Sequence, residues 1–126
     1  MILGTGVDIV ETARIEQALT RFGDRFRRRI YTEGEIVYCE QFRNCGERYA
    51  ARFACKEAAF KALGTGWRGG IQWTDAEVSN RRGGRPTLLL HGAASERAKQ
   101  LGVTRISLSI SHSEQFAIAI VIIEGK

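Results

Sequence analysis

Arg52, Lys56, Glu57 and Lys61 fall close together in a 126-residue chain, and their types and spacing suit the handling of charge. At about 3.6 residues per turn, Glu57 and Lys61 share one helix face, while Arg52 and Lys56 form a neighbouring pair. Phe53 and Phe60 flank the Glu57 face, which predicts that aromatic packing brings this stripe against a sheet, where charged groups need partners. The same Glu57–Lys61 spacing also serves an ordinary surface ion pair, worth about 0.3–0.5 kcal/mol. A second acid, Asp8, stands in a largely apolar stretch. Alone it reads as a strand-end carboxylate bonded to nearby amides. Beside Glu57 it reads differently, because two adjacent carboxylates repel and a divalent cation removes that cost. Magnesium is commonly held by one or two carboxylates, with water and substrate phosphates completing an octahedron. Lys61, Arg52 and Lys56 could then meet the remaining phosphate charge. Spacing alone does not bring Asp8 to the helix.

Other motifs are less specific. Gly64-Thr65-Gly66, Gly69-Gly70 and Gly83-Gly84-Arg85-Pro86 offer flexible or basic turns, but none matches a nucleotide P-loop, whose lysine lies within the glycine-rich segment before a helix. His112 ends a strand pattern carrying Ile106, Leu108 and Ile110, and reads either as a core-edge histidine or, with Ser111 and Ser113 beside it, as a phosphate contact. Three cysteines, Cys39, Cys45 and Cys55, are an odd number without C-x-x-C spacing, which argues against zinc and for free thiols in the cytoplasm.

The elements that must position these groups follow from patterning. Ile2 to Val10 reads as a strand with Leu3, Thr5, Val7 and Ile9 on one face and Ile2, Gly4, Gly6, Asp8 and Val10 on the other. The two glycines leave room for another element or a ligand beside Asp8. Thr12 is the expected cap of a helix through Ile15, Ala18, Leu19 and Phe22, followed by a basic turn from Arg25 to Arg29. Thr32 with Glu35, and Asn44 with Glu47, form two capping boxes. The second opens the longest periodic segment, Cys45 to Leu63, closed by Gly64. Ile71–Val78 and Thr87–Leu90 read as strands around the turn-forming Asn80–Pro86, Gly92–Leu101 as a helix, and Ile106–His112 with Phe116–Ile123 as a hairpin around Ser113 and Glu114. Both alternating sets of Phe116–Ile123 are apolar, so both faces of that strand should be covered, by helices or by another subunit. The expected class is α+β: a mainly antiparallel sheet packed against one long helix and shorter helices, in one domain spanning 1–126.

The formal net charge is +5, and Arg14 to Arg29 carries six arginines against Glu16 and Asp24, a field that draws anionic partners. The longest apolar run, Phe116 to Ile123, has strand length, so no membrane span is expected. Met1-Ile2-Leu3-Gly4 has no basic leader, so no secretory signal is expected either.

The sequence resembles the small bacterial holo-acyl-carrier-protein synthases over nearly its whole length. Gly4 to Ile15, GTGVDIVETARI, resembles the family's metal-binding N-terminal signature, and Arg52 to Gly66, RFACKEAAFKALGTG, its core helix and following turn. Tyr31 to Glu35, Gly84-Arg85-Pro86 and Ser109 to Ser113 resemble further family segments in the expected order. Cys55 replaces a usual alanine, and Arg85 a frequent lysine, which keeps the charge but changes its reach.

The resemblance implies transfer of 4′-phosphopantetheine from coenzyme A to a serine hydroxyl of apo-acyl carrier protein, with release of adenosine 3′,5′-bisphosphate. It implies magnesium on Asp8 and Glu57, with Glu57, directly or through water, as base and Lys61 neutralising or protonating the departing phosphate. Arg52, Lys56, Gly64, Thr65, Arg85, Pro86 and His112 become expected coenzyme A contacts. Arg14, Arg21, Arg25 and Arg28 become the docking patch for the acidic carrier, with some of Arg27, Arg28 and Arg29 serving only as solvated surface. A homotrimer with active sites near subunit boundaries is also implied. The rival reading, a basic nucleic-acid-binding module, shares the charge but leaves Asp8 and Glu57 opposing a phosphate backbone, and no known motif of that kind is visible. Neither a nucleic acid nor a membrane partner is expected.

Overall fold

Two glycines in the first strand decide how the chain packs. The computed structural model describes residues 1–66, 69–80 and 84–126. Strand β1 (Ile2–Glu11) pairs antiparallel with β5 (Phe116–Gly125), which pairs antiparallel with β4 (Val103–His112), giving the order β1-β5-β4. Strands β2 (Ala76–Asn80) and β3 (Pro86–Leu90) form a separate antiparallel pair. Helix α4 (Cys45–Leu63) lies against the three-stranded sheet, ending on Gly64 in the left-handed region at φ 74°. A Cβ built on Gly6 would sit 1.9 Å from the carbonyl oxygen of Ala58, and one on Gly4 2.2 Å from that of Ala62. Strand and helix backbones therefore touch, as only glycine permits. Val10, Ala117, Ala119, Val121 and Ile123 fill the rest of this contact and are buried. The class is the α+β arrangement expected from the sequence.

The opposite face of the sheet is bare in the single chain. Val7 and Ile9 are 53% and 62% exposed, and Phe116, Ile118 and Ile120 line up beside them on β5, also exposed. Alternation in β5 thus divides into a core set under α4 and an apolar set facing outward.

Several local expectations are corrected. The basic turn at Arg25–Arg29 is a short helix, α2 (Asp24–Ile30), which follows α1 (Thr12–Phe22) after Gly23. Thr12 is the first residue of α1 rather than its side-chain cap, and its Oγ1 is buried without a hydrogen-bond partner. The Thr32–Glu35 capping box is present at α3 (Glu33–Glu40). The Asn44–Glu47 box is not: Asn44 makes no side-chain cap, and Glu47 instead meets the ring of His112. The strand expected over Ile71–Val78 begins only at Ala76, because Trp73–Asp75 forms a 3₁₀ turn in which Asp75 accepts from the Gln72 amide at 3.2 Å. That turn sends Trp73 against Phe53 and Phe60, with ring centroids 4.9 and 5.8 Å away. The aromatic pair of α4 therefore packs on the turn, and the alanines of α4, not the phenylalanines, meet the sheet. Helix α5 (Gly92–Leu101) and the β4–β5 hairpin stand as expected. Of the turn expected at Asn80–Pro86, Arg81, Arg82 and Gly83 lie outside the described residues.

Gly6→Ala tests the backbone contact. The added methyl group meets a carbonyl that cannot rotate away, so a loss of about 3 kcal/mol is expected, at the upper end of overpacking penalties. Urea unfolding of the variant should show a correspondingly lower midpoint with an unchanged slope.

Candidate active site

The contact that buries Gly4 and Gly6 also delivers the charged residues. Asp8 lies two residues beyond Gly6 on the same strand face, and Glu57 and Lys61 immediately precede Ala58 and Ala62 on α4. Lys61 Nζ donates to Asp8 Oδ1 at 3.0 Å and to the Val7 carbonyl at 3.1 Å. The Lys61 side chain is 53% exposed and that of Asp8 17%, so the pair lies at an opening rather than in the core. Glu57 completes the group. Partial burial and then the negative charge of Asp8 raise its carboxyl above the ordinary range, while Lys61 and Arg14 pull the other way. Asp8, Glu57, Lys61 and Arg14 thus form one electrostatic cluster, joining β1, α1 and α4.

The cluster has the chemistry of a cation site. Two carboxylates close enough to repel sit at a solvent opening, with a lysine ammonium already neutralising one of them. No group of three or more candidate ligands occurs among the described residues. Two protein carboxylates suit magnesium, which keeps water and takes phosphate oxygens, better than zinc, which wants a fuller protein shell. Cysteine chemistry is not available at neutral pH from Cys39 or Cys55, since burial pushes both thiols up to about 12.

The other expected contacts divide. Gly64 and Thr65 follow Lys61 by three and four residues, where α4 ends. Arg52 and Lys56 do not join Lys61 in one phosphate-binding stripe. Lys56 is fully buried, and Nζ donates to Glu35 Oε1 at 2.7 Å, the Ala76 carbonyl at 2.5 Å and the Trp73 carbonyl at 3.3 Å. Its three donors are used, so its assignment as a coenzyme A contact is corrected to a core ion pair. Arg52, also buried, donates to Asn80 Oδ1 and lies over the Tyr38 ring, 3.9 Å from its centroid. Asn80 pairs with Pro86 across β2 and β3, so Arg52, Arg85 and Pro86 belong to a second region on the other flank of α4. His112 forms a third, at the start of α4, with Nδ1 3.1 Å from Glu47 Oε1 and Nε2 3.3 Å from an Arg48 nitrogen.

Among the basic residues of the first two helices, Arg14 reaches the Glu57 cluster, and Arg21 lies over Phe22 at 5.2 Å. Arg28 is spent on Glu33 at 2.7 Å, and Arg27 on Asp24 and Glu40, each at 3.3 Å. Glu35 is the residue that sequence reasoning missed, having read it only as half of a capping box. Its signal was the lysine at 56: a lysine on an alanine-rich helix face must find an acid or stay out of the core.

The raised proton affinity of Glu57 gives a stability signature without metal. Between the ordinary carboxyl value and the raised one, the folded state binds more protons than the unfolded state, so stability falls as pH rises through that window. Glu57→Gln should therefore melt higher than the parent protein above the window, in the presence of a chelator, with the gap closing near pH 4. Thermal denaturation across pH measures this, and an equal gap at all pH values would refute it.

Known proteins share this sequence and this fold. The sequence model of the 4′-phosphopantetheinyl transferase superfamily matches residues 4–121. A holo-[acyl-carrier-protein] synthase from Koribacter versatilis is 60% identical over 124 residues, covering 98% of this chain and 99% of the relative. Among solved structures, the holo-[acyl-carrier-protein] synthase of Neisseria meningitidis superposes with a TM-score of 0.89 at 36% identity, covering 98% of this chain and 99% of that one. The Helicobacter pylori enzyme of the same name, solved in complex with coenzyme A, gives 0.83 at 34% identity, covering 95% and 99% of the respective chains.

Proposed function

Because the chain belongs to the 4′-phosphopantetheinyl transferase superfamily as a holo-[acyl-carrier-protein] synthase, we infer that it transfers 4′-phosphopantetheine from coenzyme A to a serine hydroxyl of apo-acyl carrier protein. The observation that carries this reading is the Asp8–Glu57–Lys61 cluster held open at the β1–α4 contact. Magnesium dependence belongs to the same proposal. Asp8 and Glu57 would hold the ion, which supplies charge neutralisation for the phosphoryl oxygens and makes the phosphorus more electrophilic.

The chain's own residues then perform the transfer. The carrier serine oxygen forms a bond to the phosphorus that bears pantetheine, and the bond from that phosphorus to the bridging oxygen of adenosine 3′,5′-bisphosphate breaks. Glu57 takes the serine proton, directly or through water. Lys61, long and half exposed, exchanges its hold on Asp8 and the Val7 carbonyl for the leaving phosphate, which it neutralises or protonates. Gly64 and Thr65 line the cofactor on the same side. Arg85, Pro86, His112 and Arg52 are assigned to more distant parts of coenzyme A.

The acidic carrier is proposed to dock on α1. Arg14 and Arg21 are seven residues apart, about two turns, and share a face. Arg14 acts electrostatically on Glu57, which supports a docking site beside the chemistry. Arg25 extends the patch, and Arg28 joins it only by giving up Glu33. Three free cysteines support a cytoplasmic location.

Incubation with coenzyme A, magnesium and an apo-acyl carrier protein, followed by intact mass measurement, should show the carrier gaining one phosphopantetheine. Chelation should abolish the gain. In the same assay, charge reversal at Arg14 and Arg21 should raise KM for the carrier tenfold or more with little change in kcat. No mass gain with several folded carriers would reject the activity, and an unchanged KM would reject the docking site.

The homotrimer is proposed on the family resemblance and supported by the bare apolar face of Val7, Ile9, Phe116, Ile118 and Ile120. Light scattering should return three times the 14.0 kDa chain mass. Ile118→Glu should reduce it to that of a single chain.

A further inference from the structure

The buried Lys56–Glu35 pair has no part in the chemistry above, yet its place in the fold sets where that chemistry happens. Both residues are fully buried. Glu35 Oε1 accepts from Lys56 Nζ and from the Thr32 amide at 2.9 Å, and Oε2 accepts from the Val78 amide at 2.9 Å. Lys56 adds the carbonyls of Trp73 and Ala76 and stands 5.7 Å from the Tyr31 ring centroid. Four segments are thereby tied to one point on α4: the start of α3, the end of α2, the 3₁₀ turn and β2.

That point has a fixed relation to the active cluster. At about 100° per residue, with Lys56 as origin, Glu57 projects about 100° round the helix and Lys61 about 140°. Ala58 and Ala62, which touch the backbone of β1, lie at about 200° and 240°. The two charged residues therefore project between two clamps, one polar and one of close-packed backbone. The β1 clamp is close backbone packing, which fixes how near the helix lies to the sheet but contains no directional bond from a side chain of α4. The Lys56 clamp consists of directional bonds, which resist rolling. A roll of more than about 10–20° exceeds what a functional constellation tolerates, and misplacement by about 1 Å can cost about 100-fold in rate.

We propose that Glu35 and Lys56 are positioning residues that set the rotation of α4 and hence the Glu57–Asp8 spacing on which cation binding and transfer depend. The inference rests on the transferase reading given above. It also explains why a charged pair occupies a site that apolar residues could fill: buried ion pairs add little stability over a well-packed apolar replacement, whereas their directionality can enforce one arrangement.

The test uses the full-length double variant Lys56→Met/Glu35→Gln, which removes the buried charge on both sides together. Manganese(II) chloride alone serves as a paramagnetic probe, its binding read from the loss of the free-ion resonance. The double variant should retain its circular dichroism and a cooperative melt. Its manganese affinity should fall tenfold or more, and kcat should fall at least tenfold, while KM for the carrier, set by α1, stays within twofold. A folded variant with parental manganese affinity and kcat overturns the proposal. So does a loss of activity with manganese affinity intact. Should the double variant not fold, Glu35→Asp, which keeps a carboxylate opposite Lys56 but shortens its reach to Lys56 and the Val78 amide, is read against the same outcomes. A parent protein that neither binds manganese nor modifies a carrier overturns the transferase reading and this inference together, whereas an active parent with an unchanged variant overturns this inference alone.

Discussion

The structure depends on one close contact between backbones. Strand β1 and helix α4 approach until a single methyl group on Gly6 would collide with the carbonyl of Ala58. Asp8 shares the strand face of Gly6, and Glu57 and Lys61 are bonded to the two alanines that make the contact, so packing the core and assembling the site are one event. A larger residue at position 4 or 6 would lift the helix off the sheet and carry both charged side chains away from Asp8. The geometry of the candidate site is inherited from the tightest part of the core rather than from a loop.

The same helix carries charge into two opposite environments. At Lys56 the charge is closed: an acid and two carbonyls use the three donors of Lys56, and two further amides complete the carboxylate of Glu35. At Glu57 it is open. Two carboxylates face one lysine and the more distant Arg14, and burial with repulsion raises the proton affinity of Glu57. Burial also lowers the proton affinity of Lys56 from its ordinary value, against the pull of Glu35. The first environment is complete without a ligand and the second is not, a difference that separates a structural ion pair from a functional one on neighbouring residues.

Much of this was legible in the sequence where local rules govern. Gly4 and Gly6, ahead of Asp8 on the same strand face, signalled close approach, Gly64 marked the end of α4, and Thr32 with Glu35 marked the start of α3. The misreadings arose where a long-range partner outcompeted the local one. Glu47 left its expected cap for His112, and Phe53 and Phe60 found Trp73 rather than a sheet, because a 3₁₀ turn brought that ring across. Lys56 looked like a phosphate ligand, and Arg52 like a member of the same stripe as Lys61, because their spacing from Glu57 was right. Helical spacing fixes which residues are near neighbours but not which flank faces the core, and here Glu35 and Asn80, 21 and 28 residues away in the chain, decided it. No local pattern reports such a partner.

The division of α4 into two flanks bears on how a long cofactor could be held. Lys61 and Asp8 lie on one flank. Arg52, with Asn80 and Pro86, lies on the other, about 180° round the helix by residue count. If the proposed contacts on both flanks belong to one coenzyme A, the proposed trimer offers a way to gather them, the near flank of one chain completed by the far flank of its neighbour. The exposed Val7 and Ile9, which alternate with Gly6 and Asp8 along β1, would supply the apolar surface for that neighbour. Strand β1 would then serve assembly with one face and chemistry with the other, and period-two alternation ties the two together: a one-residue slip of its pairing with β5 would expose Asp8 to the interface and bury Val7 under α4.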